Sequence, residues 1–364
     1  MGASPTMMPV LPPEESSEKK KAMLPPDVLA ELHAIFGESP EDRFARVGRC
    51  HSSHRDITIC YQTFGDPQNP CMLLIMGLKC TVSFWDSRFC RYIAEQGFYV
   101  VRFDNRDVGL STDFDDYPAP NILRMALPSW ASIGEAPLAY TLDDMANDTV
   151  GLLRALNITK AHIVGCSMGG MIAQLVALHH PEVVLSLCLH STTAGVPWPK
   201  PSILISMLDG PESPDDVQSV LDYRERFYKS MAGDMKFYEH EFRLGMWWDV
   251  VRSNYRAGAG RQLAAIVRSP DRGARLKAKL NHGVGRPRSA ATALATTATH
   301  VPVVVLHGGK DPTVPVEHAQ HLAECINGSK LVIFPRMGHY FSKDMFKLLA
   351  DEMILNARSV AVDD

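Results

Sequence analysis

The sequence predicts an α/β fold, with a mostly parallel eight-stranded sheet, helices on both faces and an inserted helical cap. Two observations predict it. Short, continuous apolar runs such as "CMLLIMG" (71–77) are typical of strands that are buried on both faces of a sheet. These runs alternate with segments of helical periodicity, and such alternation favours a parallel sheet that is covered by its crossover helices.

Each element is predicted from its own local pattern. β-branched and apolar runs indicate the strands, and helical spacing after a cap residue indicates the helices. The segment at 141–158 shows the helix pattern well, since Thr141 can cap the N-terminus and Asp143 and Asp144 stand in the first turn. In chain order, strands are expected at 57–65, 71–77, 98–104, 161–165, 184–190, 301–308 and 330–335, with helices at 141–158, from the end of 161–165 to about 180, at 318–326 and at 340–357.

Composition excludes several classes of function. The net charge of −4 and the pI near 6.4 do not favour binding to nucleic acid or to an acidic membrane surface. No run of about 18 apolar residues predicts a membrane span, and the N-terminus lacks the layout of a signal peptide. The eight cysteines are scattered without zinc-type spacing, which favours reduced thiols. We therefore expect a cytoplasmic protein.

The domain organisation is predicted from changes in composition. Residues 1–26 are rich in Pro, Ser, Glu and Lys and read as a disordered leader. Residues 42–194 and 301–358 form the expected α/β core, and 195–300 interrupt it as a helical cap. The stretch 252–288 carries ten Lys or Arg against one acid, and 272–297 read as an exposed loop. "MGASPT" also fits the loose pattern for N-myristoylation at Gly2, so membrane association stays an alternative.

The most informative motif is "GCSMG", in which Gly165 and Gly169 flank Ser167 between a strand and a helix. A strand that turns abruptly into a helix needs glycines where side chains would collide. Such a corner holds the serine hydroxyl above the sheet, beside the helix N-terminus. The motif therefore predicts that Ser167 is a nucleophile. Cys166 should instead point into the sheet.

A serine nucleophile needs a base and an acid that orients the base. "VVVLHGGKDP" presents Asp311 after a strand, and "LVIFPRMGH" presents His339 after the next one. Both should therefore reach the same sheet edge as Ser167. Two backbone N–H groups are expected to bind the developing oxyanion, namely those of Met168 and of Leu78, where Gly77 allows close approach.

Several segments together resemble the α/β-hydrolase superfamily, and within it the aclacinomycin methylesterase-like esterases. They are "LLIMGL", "VRFDNRDVGLST", "YTLDDMANDTVGLLRAL", "AHIVGCSMGGMIAQ" and "VVVLHGGKDPTVP". The resemblance implies Ser167 as nucleophile, Asp311 as acid and His339 as base, with Leu78 and Met168 at the oxyanion positions. It also implies that Asp104, Arg106 and Ser111 brace the site.

The predicted function is hydrolysis of carboxylic esters through an acyl-enzyme, with a small-molecule ester as the partner and no metal or organic cofactor. Thioesters and lipid monoesters at a membrane surface stay open as substrates. A ligand-binding receptor with slow or no turnover is the alternative from another class, because fold alone does not give function. The "CHSSH" segment at 50–54 lacks a third partner at metal spacing. Trp247 and Trp248 could line an acyl pocket or pack between helices.

Overall fold

One sheet of eight strands forms the centre of the computed structural model, which describes residues 25–118, 120, 138–197, 199–208, 210–213, 216–252, 258–280 and 301–360. The strands are β1 (Arg43–Arg49), β2 (Asp56–Phe64), β3 (Cys71–Ile75), β4 (Tyr99–Phe103), β5 (Ala161–Cys166), β6 (Val184–His190), β7 (Val303–Gly308) and β8 (Lys330–Phe334). Their spatial order is β1-β2-β4-β3-β5-β6-β7-β8. β2 is antiparallel to both of its neighbours, and all other pairs are parallel.

The described residues form eleven α-helices. They are α1 (Pro26–Phe36), α2 (Ser87–Glu95), α3 (Leu142–Ala155), α4 (Met168–His179), α5 (Pro201–Leu208), α6 (Val217–Ser230), α7 (Glu239–Arg252), α8 (Gly258–Val267), α9 (Gly273–Leu280), α10 (Val316–Cys325) and α11 (Phe346–Arg358). None of them is long and apolar enough to cross a membrane. Thr141 caps α3, as the local sequence predicts, and the structure adds a reciprocal capping box with Asp144.

Helices cover both faces of the sheet. On β3, Leu73 and Ile75 pack on the side of α3, α4 and α10, whereas Met72 and Leu74 pack on the side of α2 and α11. Every residue of this strand is buried, which is why its sequence is continuously apolar rather than alternating. The predicted α/β class with a mostly parallel, eight-stranded sheet is therefore confirmed.

The parallel strands place their carboxyl ends along one edge of the sheet. The residues that follow β3, β4, β5, β7 and β8 meet there, and ligands of open α/β sheets bind at this edge. Five helices, α5 to α9, stand between β6 and β7 in the chain and interrupt the alternation of strand and helix.

Two expectations from the sequence differ from the structure. β1 is an additional strand that the apolar pattern did not locate, because its residues are exposed or half-buried throughout. The predicted exposed loop from Arg272 is wrong over its first residues, since Arg272 is buried and 273–280 form α9. The rest of the predicted loop lies outside the described residues. The same holds for residues 1–24, which include Gly2.

Candidate active site

Ser167 occupies the corner between β5 and α4. Its backbone has φ 55° and ψ −121°, a combination that costs a non-glycine residue on the order of 1–3 kcal/mol. Four hydrogen bonds hold the strained backbone in place. The Ser167 N–H donates to His190 O at 2.9 Å, and the Ser167 carbonyl accepts from Gly170 N at 2.9 Å, Met171 N at 3.3 Å and Thr192 Oγ1 at 2.7 Å. The corner is therefore rigid, and it presents the hydroxyl at the edge of the sheet.

The two flanking glycines are required by close packing of the backbone. A Cβ on Gly165 would lie 2.2 Å from the carbonyl oxygen of Gly169. A Cβ on Gly169 would in turn lie 2.1 Å from the carbonyl oxygen of Ile75 in β3. Both positions face backbone atoms, which cannot move aside as a side chain could. The motif that the sequence singled out is thus a steric necessity of this corner.

The structure brings together the three side chains that the sequence predicts as a set. His339 Nε2 lies 3.1 Å from Ser167 Oγ, and His339 Nδ1 lies 2.7 Å from Asp311 Oδ2. Both are hydrogen-bond distances. The three residues follow β5, β7 and β8, so the common edge of the sheet explains how they meet across 172 positions of the chain.

Asp311 is held as a carboxylate. Its second oxygen, Oδ1, accepts from the N–H groups of Thr313 and Val314, both at 2.8 Å. Burial acts to raise the pKa of Asp311, but the charge and hydrogen bond of His339 and the backbone donors outweigh it, so the pKa lies below its ordinary value. An ionised, oriented carboxylate fixes the proton of His339 on Nδ1 and leaves Nε2 free to accept one.

A second histidine lies beside this carboxylate. His307 Nε2 donates to the carbonyl of Val314 at 2.7 Å and lies 3.6 Å from Asp311 Oδ2. Burial lowers the pKa of His307, which keeps this imidazole neutral. His307 is therefore a neutral imidazole beside the same carboxylate oxygen, Oδ2, that faces His339.

The two predicted oxyanion donors belong to segments that adjoin Ser167. A Cβ on Gly77 would stand 3.0 Å from Ser167 Cβ and 3.6 Å from its Oγ, so the loop after β3 touches the serine and Leu78 follows directly. Met168 is the first residue of α4, and the first N–H groups of a helix have no partner within it. Both positions can direct a backbone N–H to an oxygen beside Ser167.

Three helices of the segment between β6 and β7 hold this loop. Gln262 in α8 accepts from Lys79 N at 2.9 Å, Asp249 in α7 accepts from Thr81 Oγ1 at 2.5 Å, and Tyr228 in α6 lies 3.4 Å from Cys80 Sγ. Sequence reasoning did not identify Gln262, Asp249 or Tyr228. Their partners lie more than 140 positions away, and no local pattern marks such contacts.

The loop that carries His339 is held by the same segment. The carbonyl of Met231, just after α6, accepts from His339 N at 2.8 Å and from Tyr340 N at 3.2 Å. Gly233 forms an isolated antiparallel bridge with Met337. The loop after β3 and the loop after β8 are thus both fastened to the α6–α8 region.

Asp104 follows β4 directly and joins three parts of the molecule. Oδ1 accepts from Val82 N at 2.7 Å, and Oδ2 accepts from Leu110 N and from Arg252 at 3.0 and 2.8 Å. Arg252 also pairs with Asp42 at 2.6 Å, and its side chain is fully buried. Burial raises the pKa of Asp104 more than Arg252 lowers it.

The other two residues predicted to brace the site are also buried. Arg106 pairs with Asp148 through two hydrogen bonds of 2.6 and 2.7 Å. Ser111 donates to the carbonyl of Asp104 at 2.6 Å and accepts from Cys60 N at 2.9 Å. None of these contacts involves Ser167, so Arg106 and Ser111 support the surrounding loops and do not touch the reacting atoms.

The remaining candidates of the sequence take no part in the site. Cys166 is buried, lies 3.3 Å from His190 Nδ1, and has a pKa well above its ordinary value because of burial. Trp247 and Trp248 pack with α1 around Leu32 and Leu244. Trp247 also packs against Phe242 and Met246, so both side chains fill spaces between helices. In the described part of the chain no group of His, Cys, Asp or Glu could hold a metal ion, and the turn at 50–54 instead donates to Asp144 from His51 N and Ser52 Oγ.

Comparison with known proteins gives consistent results. The family model described as "alpha/beta hydrolase fold" matches residues 70–344. Rhodomycin D methylesterase of Streptomyces sp. (strain C5) is 27% identical over 334 residues, which cover 84% of this chain and 97% of that protein. Rhodomycin D methylesterase of Streptomyces peucetius is 26% identical over 336 residues, with the same coverage.

Among solved structures, a hydrolase from Pseudomonas aeruginosa PA01 superposes with a TM-score of 0.58 at 21% identity. It covers 88% of this chain and 100% of its own. At that identity the likeness bears on the fold alone.

Proposed function

The chain belongs to the alpha/beta hydrolase fold family, and on that basis we propose that it hydrolyses carboxylic esters with Ser167, His339 and Asp311 as its catalytic triad. Two hydrogen-bond distances support this proposal most. Ser167 Oγ lies 3.1 Å from His339 Nε2, and His339 Nδ1 lies 2.7 Å from Asp311 Oδ2. A serine hydroxyl is a weak nucleophile at neutral pH, and this arrangement supplies the base that it needs.

In the first step, Ser167 Oγ attacks the ester carbonyl while its proton passes to His339 Nε2. The carbonyl π electrons move to oxygen and give a tetrahedral oxyanion. Asp311 stays ionised and stabilises the imidazolium that forms. When the intermediate collapses, the C–O bond to the alcohol breaks and the alkoxide leaves with the proton of His339.

In the second step, water takes the place of the alcohol. His339 Nε2 removes a proton from water, and the hydroxide formed attacks the acyl carbon. Collapse of the second tetrahedral intermediate breaks the bond to Ser167 Oγ, which recovers its proton from His339. The products are a carboxylic acid and an alcohol, and the three side chains return to their starting state.

The backbone N–H groups of Leu78 and Met168 are proposed to bind the oxyanion in both steps. Loss of one such donor typically costs about 3 kcal/mol of transition-state stabilisation. The position of Met168 at the start of α4 adds the positive end of the helix dipole. No step of this scheme needs a metal or an organic cofactor.

The proposed substrate is a small-molecule ester, and methyl esters are the first to test. Two relatives that cover 84% of the chain are named for a methylesterase activity. We further propose that the helices within 195–300 form a cap whose inner surface selects the acid part of the ester, since α6, α7 and α8 contact the loops around Ser167.

The test combines turnover with covalent labelling. The wild-type protein should hydrolyse methyl and aryl esters and react with a fluorophosphonate probe, with a mass increase of one adduct on the peptide that contains Ser167. Ser167→Ala should abolish both, whereas Ser230→Ala, at the exposed end of α6, should change neither. A folded protein that binds esters but shows no turnover and no labelling would contradict the proposal and favour a binding protein.

A further inference from the structure

The backbone of Lys79 lies close to Ser167, but this residue has no role in the reaction scheme proposed above. It follows Leu78 in the loop after β3, two positions beyond the glycine whose Cβ would lie 3.6 Å from Ser167 Oγ. Two trans peptide units span at most about 7.6 Å between Cα atoms. The Lys79 Cα is therefore no more than about that distance from the Cα of Gly77, and the loop itself touches the serine.

The backbone of Lys79 is in the left-handed region, with φ 63°. A glycine would adopt this conformation without cost, whereas a residue with a Cβ loses about 1–2 kcal/mol there. The conformation is fixed from outside the loop, because the Lys79 N–H donates to Gln262 Oε1 at 2.9 Å. A lysine at a position suited to glycine indicates that the side chain contributes something that offsets the strain.

The ammonium group of Lys79 is accessible to solvent and makes no hydrogen bond or ion pair with any residue that the structure describes. Arg224, the cation that acts on Lys79, differs in this respect because it pairs with Asp249. Lys79 therefore carries a positive charge that has no ion pair among the described residues, in the loop that also carries the proposed oxyanion donor Leu78.

The Lys79 side chain is partly shielded from water by the surrounding protein. Although its side chain is exposed to solvent, the surrounding protein desolvates it and lowers its pKa to about 8. Arg224 lowers the pKa further, while Asp249 and Cys80 oppose the change. Neighbouring protein atoms therefore crowd the Lys79 side chain, while part of it stays in contact with solvent.

We propose that Lys79 binds an anionic group on the acid part of the substrate, so that the preferred substrates are esters that also carry a carboxylate, such as the monoesters of dicarboxylic acids. The inference rests on the proposed function and specifies its substrate class. One ammonium matches one negative charge. The flexible four-carbon side chain of Lys79 sets how far from the scissile ester a substrate carboxylate can be bound. The length of the diacid should therefore affect the rate.

The experiment compares charged and neutral substrates of the same acid. Initial rates at pH 7 are measured for the monomethyl and dimethyl esters of the C4 to C8 straight-chain diacids. We expect wild-type kcat/KM to favour the monoesters, with an optimum at one chain length. Lys79→Met should reduce kcat/KM for the monoesters by about tenfold or more and leave the dimethyl esters nearly unchanged, while Lys79→Arg should retain the preference.

Two further measurements keep the test independent of folding and of turnover. Lys79→Gly removes the charge and relieves the backbone strain, so it should lose the monoester preference without losing stability. Calorimetry with the free C4 to C8 diacids should show binding to the wild type that Lys79→Met weakens. The preference for monoesters should also fade as the pH rises above about 8, because Lys79 then loses its proton and its charge. The neighbouring groups Arg224, Asp249 and Cys80 do not replace that charge.

The outcomes separate this inference from the proposed function. Hydrolysis of the dimethyl esters that depends on Ser167, with no preference for monoesters in the wild type, overturns the role of Lys79 and leaves the hydrolase intact. An equal loss for both substrates in Lys79→Met and Lys79→Gly also overturns it, because the residue would then act on the loop alone. Absence of all turnover and labelling contradicts the proposed function, and the calorimetry then decides the inference: diacid binding that depends on Lys79 supports it, and its absence overturns it.

Discussion

The backbone N–H of Lys79 donates to the side-chain oxygen of Gln262, although 183 positions separate the two residues. The amide nitrogen of the same side chain donates to the carbonyl of Arg106 at 2.9 Å. Gln262 is fully buried, so one amide group joins the loop after β3 to the loop after β4. This contact fixes the peptide that follows Leu78, the proposed oxyanion donor.

We therefore predict that Gln262→Leu slows catalysis more than it weakens substrate binding. The variant keeps the approximate volume but removes both hydrogen bonds, so the Leu78 N–H loses its fixed direction. The kcat for a neutral methyl ester should fall by about ten- to a hundredfold with a smaller change in KM, and labelling by a fluorophosphonate should slow in parallel. Gln218→Leu, on the exposed side of α6, is the matched control. A lower unfolding temperature with unchanged kcat would show that Gln262 is only structural.

Asp311→Asn should reduce kcat by roughly three to four orders of magnitude. The amide oxygen can still accept from Thr313 and Val314, so the loop should keep its shape. The amide nitrogen would face His339 Nδ1 and force the proton onto Nε2, which is the atom that must accept from Ser167. Steady-state rates on an aryl ester check this. Asp234→Asn, at an exposed position near Lys310, should stay within twofold of the wild type, and equal losses in the two variants would refute the assignment.

Arg252→Met should destabilise the fold by about 3–5 kcal/mol, because it leaves the carboxylates of Asp42 and Asp104 buried without their shared cation. Arg243→Met is the matched surface variant. Its guanidinium pairs with Asp222 and Glu225 but is partly exposed, so its loss should cost no more than about 1 kcal/mol. Urea unfolding at pH 7 gives both values. A cost for Arg252→Met as small as that of the surface variant would contradict the prediction.

The buried imidazole of His162 should make folding sensitive to mild acid. Burial lowers the pKa of His162 to about 4, and its Nδ1 lies 2.9 Å from Ser186 Oγ. In the unfolded chain a histidine titrates near pH 6.5, so unfolding takes up a proton between about pH 4 and 6.5 and the free energy of unfolding falls as the pH falls.

His162→Gln should remove this share of the pH dependence, which amounts to about 2 kcal/mol between pH 7 and 5. Urea unfolding of wild type and variant at both pH values measures it. Ser186→Ala removes the hydrogen-bond partner but keeps the titrating group, so its pH dependence should resemble that of the wild type. Parallel pH profiles for wild type and His162→Gln would contradict the prediction.

Much of the architecture could be predicted because its causes are local. The buried strand β3 shows a continuous apolar run, and Thr141 caps α3 as its position before the first helical turn predicts. The positions of Ser167, Asp311 and His339 after parallel strands predict that they meet. In each case the pattern lies within a few residues of the feature that it predicts.

The features that escaped prediction depend on distant partners. β1 has no buried stripe, so only its pairing with β2 makes it a strand. The Gly, Ala, Arg and Thr content of 272–297 predicts an exposed loop, but the Arg272 guanidinium donates to Gln174 and to the carbonyl of Thr193, which offsets the free-energy cost of burying it. A guanidinium that is satisfied by distant acceptors cannot be distinguished by composition from one in water.

The helices that follow β6 fasten both the loop of Leu78 and the loop of His339, and this arrangement bears on how such an enzyme can evolve. Rebuilding these helices to admit a new substrate would also disturb Gln262, Asp249 and the carbonyl of Met231, each of which supports a reacting loop. Changes in substrate range are therefore expected to change the catalytic rate as well. A chimera that exchanges only residues 201–280 should have a lower kcat, and the loss should be larger when fewer of these three contacts are recreated.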